Sequence, residues 1–373
     1  LKITITAKIK ILPTIEQIEN LKHTYNQILL ANNDISKFVF NNKEFNRNNI
    51  NKAMYYDLRE KYQLKSQMAQ SCMKTVLAKY QSAKSNGHAF SLINFKNPEY
   101  DLVWNRDYSL NLDKQIFSVN SINGRLKIPF EIKSKEQYFD GTWSFGTAKL
   151  VYKFDKFFLH IPMTKEMSDF NYATCNQVVG IDLGINFLAT TYDSQGKTTF
   201  YNGKQIKNKR AQFSKIRKEL QQVKTSSSRK RLKAIGSREN RWVTDINHQV
   251  TKALVDKYGN NTLFVLEDLT NVRQITERVR KRDRYISVSW AFYQFKEMLE
   301  YKASLVGAKV ILVDPKYTSQ TCPKCGHVES SNRDKKKHIF KCRTCGYTSN
   351  DDRIGAMNLQ RKGIEYISEG LYQ

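Results

Sequence analysis

A chain of 373 residues with 40% hydrophobic and 12% aromatic content has enough apolar material for two or three domains and excludes a wholly disordered polymer. Its 62 Lys and Arg against 35 Asp and Glu leave a formal charge of +27. In a folded protein such an excess points to a polyanionic partner, and the scattered aromatics favour a nucleic acid. No run of about 18 apolar residues and no secretory leader pattern is visible, so no membrane partner is expected.

Alternation of apolar and polar residues over 3–11 predicts a first strand. Pro13 and Thr14 then open a helix, with Thr14 and Gln17 in capping-box spacing. Ile18, Leu21, Tyr25, Ile28 and Leu29 mark one face of it. Helical stretches follow around 50–62 and 66–84. From about 98 to 165 short strands alternate with turn residues, most clearly at 116–119, 126–128, 148–152 and 157–161. The expected architecture is a small β-barrel or sandwich carrying the helices as an insertion.

A second domain starts near 176, with strands expected at 178–183, 187–192 and 197–201. A long basic helical region covers 204–242, and a helix with Ile246, Val250, Ala253 and Leu254 on one face leads to a strand at 263–267. A further helix carries Ala291, Phe295, Met298, Leu299 and Leu305, and a strand at 309–313 and a final helix after 352 complete the set. Three strands, helix, strand, helix, strand and helix is the order of an RNase H-like fold, a mixed sheet with helices on both faces.

Two of these strands contain acids where apolar residues dominate. Asp182 interrupts VVGIDLGINFLAT and Glu267 ends LFVLEDL. An ionised carboxylate there costs several kcal/mol or more unless a cation or hydrogen bonds compensate it. In the expected fold both point into one crevice, and Asp352, opening the last helix, can reach the same edge. Converging acids repel unless divalent cations lie between them. Phosphodiester hydrolysis with two cations roughly 4 Å apart uses such a cluster, and carboxylate ligands favour Mg²⁺ or Mn²⁺. Taken singly, each acid also fits a strand-end ion pair, and Asp351 or Asp352 a helix N-terminal charge.

Four of the six cysteines form a CxxC-x16-CxxC pattern, Cys322, Cys325, Cys342 and Cys345. Two knuckles supply four thiolates to a tetrahedral Zn²⁺, a closed site and therefore a structural one. His327 stands close enough in sequence to replace a ligand, but four cysteines complete the set. Cys72 and Cys175 read as packed thiols in a reducing compartment. The loop bearing Arg333, Lys335, Lys336 and Lys337 is either a solvated tip or a nucleic-acid contact.

With these residues assembled, the chain resembles the TnpB proteins of bacterial insertion sequences, relatives of the compact type V CRISPR effectors. The resemblance is carried by GIDLGINFLAT, LEDL, the segment from SWAFYQFKEML to YTSQTCPKCGH, and CRTCGYTSNDDRIGAMNL, with LPTIEQIENLKHTYNQ and YYDLREKYQLKSQMAQSCMKTVLAKY near the N-terminus. It implies a guide-RNA-dependent endonuclease that cuts double-stranded DNA at a single RuvC-type site, acting in the bacterial cytoplasm at the nucleoid. The family pattern, an acid six residues before the Asn of the last helix, selects Asp352 ahead of Asn358. Arg353 and Ile354 depart from the Asn or Val frequent there. The implied domains are a wedge-like β-barrel (1–13 and 86–175), an inserted helical recognition domain (14–85), a RuvC-like nuclease domain (176–315 and 347–373) and an inserted zinc ribbon (316–346). By the same resemblance, Gln70 and Lys74 face a short DNA motif beside the target, and amides suit adenine edges.

Between Lys204 and Arg241 stand fourteen Lys or Arg and two Glu. Two antiparallel basic helices joined near 226–228 would present Lys204, Lys207, Lys209, Arg210, Arg229, Lys230 and Arg231 to a nucleic-acid backbone. Arg273, Arg278, Arg280, Lys281, Arg282 and Arg284 follow Glu267 and suit a strand-loading loop, with Tyr285 able to stack on a base and Trp290 at the start of an amphipathic helix. Two other function classes stay open, a guide-RNA-dependent repressor that binds without cutting and an RNA-independent transposase or resolvase.

Overall fold

Isoleucines at alternate positions of KITITAKIKI turn inward and set the first strand, β1 (Lys2–Ile11), in the computed structural model. The structure describes all residues except 98, 134–135, 154, 185, 270–291, 335 and 371–373. Contacts divide it into two units, Lys2–Glu166 and Met167–Gln373 together with Leu1.

In the first unit, β1 leads to the helices α1 (Ile15–Asn42), α2 (Arg47–Lys61) and α3 (Ser66–Ser85). Thr14 caps α1 in the capping box its spacing predicts, reciprocally with Gln17. Helix α2 starts three residues before the expected stretch, because the Asn46 side chain accepts from the Asn48 N–H and fixes the cap there. The strands β2 (Tyr100–Leu102), β3 (Tyr108–Asn111), β4 (Ile116–Ser121), β5 (Gly124–Glu131), β6 (Ser144–Phe145), β7 (Ala148–Lys153) and β8 (Lys156–Glu166) follow. With β1 they form one antiparallel sheet ordered β2-β7-β8-β1-β5-β4-β3, β6 adding to β8. The terminal strands β2 and β3 are joined by one tight turn, with the Asp107 carboxylate accepting from the Val103 N–H at 2.9 Å, so the sheet nearly closes. Tyr25 of α1 lies against the Tyr100 and Phe157 rings, and its hydroxyl donates to the Leu150 carbonyl.

In the second unit, β9 (Gln177–Asp182), β10 (Phe187–Tyr192) and β11 (Thr198–Asn202) form an antiparallel meander. The helices α4 (Lys204–Val223), α5 (Ser226–Ile235) and α6 (Arg238–Tyr258) lead to β12 (Thr262–Glu267). Helix α7 (Phe292–Leu305) precedes β13 (Lys309–Val313), and β12 pairs in parallel with both β9 and β13. The sheet order is β11-β10-β9-β12-β13, a mixed sheet. Three short strands, β14 (Arg333–Asp334), β15 (Ile339–Lys341) and β16 (Thr348–Asn350), form a separate ribbon, and helix α8 (Asp351–Ser368) ends the chain.

The basic region differs from the expected hairpin. The break falls at Lys224 and Thr225, and Ser226, Ser227 and Ser228 form the first turn of α5 because Thr225 accepts from the Ser228 N–H as its cap. A third helix, α6, then begins at Arg238.

Period-two alternation sorts the second sheet into two faces. Val179, Ile181, Phe264 and Leu266 pack in one cluster with Val243, Leu254 and Val255 of α6 and Phe295 and Leu299 of α7. Val178, Leu263 and Val265 pack with Leu359 of α8 in the other. Helix α8 sits unusually close to β9. A Cβ at Gly180 would lie 2.0 Å from the Ala356 carbonyl oxygen, and one at Gly363 would lie 2.4 Å from Val265. Glycine at these two places is what lets the helix backbone meet the sheet.

Candidate active site

The alternation that buries Val178 and Val265 under α8 also turns Asp182 and Glu267 to that face. Both end their strands, and the parallel register pairs Leu266 with Ile181, so Glu267 and Asp182 stand side by side at the carboxyl edge of the sheet. Asp352 lies in the first turn of α8, buried, its N–H held by the Asn350 cap. Gly355, three residues on and on the same helix face, lies against Asp182, for a Cβ there would be 3.0 Å from the Asp182 carboxyl.

These acids repel one another. Burial first, then Glu267 and Asp352, pushes the Asp182 carboxyl well above its ordinary range, with Arg333 pulling it back. Burial raises Glu267, partly offset by the Thr318 hydroxyl, which donates to it, and by Lys362. Burial and Asp351 raise Asp352, against Arg333 and His338. Among the described residues the Asp182 carboxylate accepts no hydrogen bond.

The neighbouring Asp351 is differently employed. It is almost fully buried, 1% exposed, and its Oδ2 takes the Arg333 Nε at 2.8 Å while His338 Nδ1 lies 3.5 Å from Oδ1. The other ring nitrogen of His338 meets the Asn186 amide at 2.6 Å. Arg333 also reaches within 3.9 Å of Asp352. Thus Arg333, expected on a basic loop, turns inward, because a buried carboxylate pair needs a cation. His338, Asp351 and Asp352 lie close enough to share an ion, but Arg333 already neutralises Asp351. The surplus negative charge therefore rests on Asp182, Glu267 and Asp352. Their carboxylate oxygens are the donor type a hard divalent cation takes, but among the described residues the three do not come within 4.8 Å of one another as His338, Asp351 and Asp352 do.

Positioning residues that pattern reasoning passed over complete the edge. Asn358 donates to the Thr318 and Thr321 carbonyls at 2.7 and 2.9 Å, holding Thr318 against Glu267. Lys362 donates to the Asp314 carbonyl at 2.6 Å.

The four cysteines come together as their spacing predicts. Sγ atoms of Cys322 and Cys345, and of Cys325 and Cys342, are 3.6 Å apart, and all four lie within 4.8 Å. A tetrahedral ion with bonds of about 2.3 Å separates its sulfurs by about 3.8 Å, so the cluster fits zinc. Each knuckle turns through a glycine at positive φ, Gly326 and Gly346, and each returns the same backbone bonds, from Gly326 N–H to the Cys322 carbonyl and from Gly346 N–H to the Cys342 carbonyl. Backbone amides at 345 and 344 hold the Cys342 thiol down to about 6. His327 faces Asn332 and Glu329 and is not part of the cluster. Ile354 of α8 packs with Cys322, Phe340 and Cys342, and Arg353 bonds Thr198, Tyr347 and Ser349. The two departures from the family pattern thus anchor ribbon to helix. Cys72 is a buried packed thiol, pushed up to about 12 by burial.

Of the residues expected to meet nucleic acid, Lys74, Lys204, Lys207, Lys209, Arg229, Lys230, Arg231 and Lys336 are exposed. Arg210 is not on that surface. It is 2% exposed, between α4 and α6, with Glu239 3.9 Å from its Nε, since the one buried acid of α6 draws it inward. The Gln70 amide is engaged at both ends, accepting from Arg47 at 3.0 Å and donating to Asn51, so the base-reading expectation meets a side chain already bonded. Arg273, Arg278, Arg280, Lys281, Arg282, Arg284, Tyr285, Trp290, Ala291 and Lys335 lie outside the described residues. No described helix is long and apolar enough to cross a membrane.

The fold is one already seen in a solved structure. The chain of a Cas12f1–sgRNA–target DNA complex solved by cryo-EM superposes over 96% of this chain and 99% of its own length, with a TM-score of 0.64 at 12% identity. Residues 160–278 match the family model OrfB_IS605, described as a probable transposase, and residues 292–359 match the Cas12f1-like TNB domain. The TnpB-like protein MJ0751 of Methanocaldococcus jannaschii is 29% identical over 244 residues, 62% of this chain and 83% of that one. The CRISPR-associated endodeoxyribonuclease Cas12f1 of Sulfoacidibacillus thermotolerans is 32% identical over 207 residues, 52% of this chain and 47% of that one. The chain is thus similar to TnpB-like proteins and to Cas12f1, and it spans about half the length of the Cas12f1 it matches.

Proposed function

We propose that this chain is an RNA-guided DNA endonuclease that hydrolyses phosphodiester bonds at one RuvC-like site held by Asp182, Glu267 and Asp352. The observation that carries the reading is the register that sets Asp182 beside Glu267 on the face that α8 covers. An RNase H-like order of strands, with the third acid on the last helix, supports it. One or two Mg²⁺ or Mn²⁺ ions held by these carboxylates would supply Lewis acidity and an acidified water to the scissile phosphate. Thr318 orients Glu267, Asn358 holds Thr318, and Arg333 balances the charge of Asp351. A structural Zn²⁺ on Cys322, Cys325, Cys342 and Cys345 would fix the ribbon that delivers Arg333 and His338.

One relative is named an endodeoxyribonuclease, and the superposed Cas12f1 chain is held in a complex with sgRNA and target DNA, which supports the reaction and the partners. The charge of +27 and the exposed lysines and arginines of α4 and α5 suit a nucleic-acid backbone. The nearly closed sheet and helices of the first unit are the counterpart of the wedge-like barrel and recognition helices. There Lys74 is free to meet a short DNA motif and Gln70 must first release Arg47 and Asn51. The sequence keeps Asp182, Glu267 and Asp352, which speaks against a non-cutting repressor.

The test is to purify the chain with its bound RNA, sequence that RNA, and replace its guide segment. Cutting that follows the new guide supports the proposal. RNA-free protein that cuts just as well sinks it and favours a transposase or resolvase.

A further inference from the structure

The helical part of the first unit holds an open recess of about 1100 Å³ that the proposed function leaves unused. It lies between the C-terminal half of α3 and the segment 86–93, just above the roughly 300–1,000 Å³ usual for small-ligand sites. Its floor is Tyr80, buried, whose hydroxyl donates to the Ser36 carbonyl at 3.1 Å and accepts from the Ile93 N–H at 3.3 Å. Those bonds fix the returning segment, as do Asn33 on the Phe95 N–H and Ser36 on the Ile93 carbonyl. The recess is therefore preformed.

Two rings stand in its wall half-exposed, Phe45 at 51% and Phe90 at 49%. Phe90 stacks on Phe40, centroids 5.2 Å apart at 28°, and meets Phe45 edge-on at 5.9 Å, while Phe45 meets Tyr80 at 6.1 Å. The rings are thus held from behind with surface left open. Around them the lining contributes Lys79, Lys84 and His88, and no acidic residue. An apolar protein anchor would not need that cationic rim. A base with its phosphate needs both halves, a flat π-surface to stack on and ammonium groups for the charge.

We propose that this recess takes one unpaired nucleotide of a single-stranded nucleic acid, its base against Phe90 and Phe45 and its phosphate toward Lys79 and Lys84. The proposal rests on the nucleic-acid reading of this chain but not on cleavage, and it fails separately. Stacking is tolerant of base identity, so the site reads an unpaired strand and not a sequence.

Short single-stranded RNA and DNA probes, each with one central 2-aminopurine, test it on the full chain in salt high enough to suppress binding through the backbone alone. Wild-type protein should quench the fluorophore. Phe90→Leu, which keeps apolar cover but removes the ring, should lose the quenching and weaken binding roughly tenfold, while Phe90→Trp keeps both. Phe45→Leu is the second variant, decisive if Phe90→Leu lowers the melting temperature. Loss confined to the RNA probe assigns the nucleotide to the guide, loss confined to the DNA probe to a displaced or target strand, and loss with both leaves the site open to either. Quenching and affinity unchanged in both leucine variants, no quenching by wild type, or displacement by an apolar peptide but not by nucleotides would overturn the proposal, whatever the cleavage assays show.

Discussion

Gly180→Ala is the smallest change that tests how the site is assembled. The new methyl would sit 2.0 Å from the Ala356 carbonyl oxygen and 2.4 Å from the Gln360 nitrogen, both backbone atoms of α8. Ordinary contact begins near 3.4 Å, and no flexible side chain stands there to give way, so helix and strand must separate by more than about 1 Å. Overpacking of this kind costs about 3 kcal/mol, which for a unit near 200 residues lowers the melting temperature by roughly 6–12 °C. The same displacement carries Asp352 away from Asp182 and Glu267, and a misplacement near 1 Å costs on the order of a hundredfold in rate. Gly355→Ala is the contrast. Its methyl meets the Asp182 side chain at 3.0 Å and not backbone, so a shift of a few tenths of an ångström suffices and the gain in helix propensity of about 1 kcal/mol offsets the crowding in stability, while any loss of rate comes through Asp182. Thermal melts and single-turnover DNA cleavage on both variants make the comparison. A Gly180→Ala protein as stable and as active as wild type would refute the close packing of α8 on β9.

Three further outcomes follow from the same geometry. The Asp182, Glu267 and Asp352 carboxyls are raised, so without divalent cations they add stability below their unfolded values that is lost as pH rises through the folded ones. Mg²⁺ should therefore raise the melting temperature more at about pH 8 than at about pH 5, and Asp182→Asn should shrink that difference; equal gains at both pH values would contradict the cluster. Cys322→Ser should abolish zinc in metal analysis of the purified protein and destabilise the ribbon, since ion binding is coupled to folding, and retention of one equivalent of zinc would count against the four-cysteine site. Thr318→Val removes the hydroxyl donated to Glu267 and should slow cleavage about tenfold or more while lowering the melting temperature by a few degrees, whereas an unaltered rate would remove Thr318 from the site.

The carboxylates were legible because an acid inside an apolar strand is costly, and local pattern alone reveals that cost for Asp182 and Glu267. The cysteines were legible from spacing. What local pattern hides is partner choice across the fold. Arg333 sits in a run of basic residues, and nothing nearby says that it turns to Asp351 eighteen positions on. Arg210 reads like its neighbours Lys207 and Lys209, but helix geometry places it opposite Glu239 of α6. The serines at 226–228 read as a loop, yet with Thr225 as cap they start a helix. Gly180 reads as an ordinary strand residue, and only the approach of α8 gives it a reason. Asp351 and Asp352 are adjacent and identical, and nothing local says that Arg333 lies at 2.8 Å from the first and 3.9 Å from the second.

The most direct measurement is single-turnover cleavage of target DNA by the RNA-loaded chain in Mg²⁺, compared with Asp182→Asn, Glu267→Gln and Asp352→Asn. Each variant should bind RNA and DNA as wild type does and cut at least about a thousandfold more slowly. Full cutting by any one of them would show that these three acids do not form a single cutting centre.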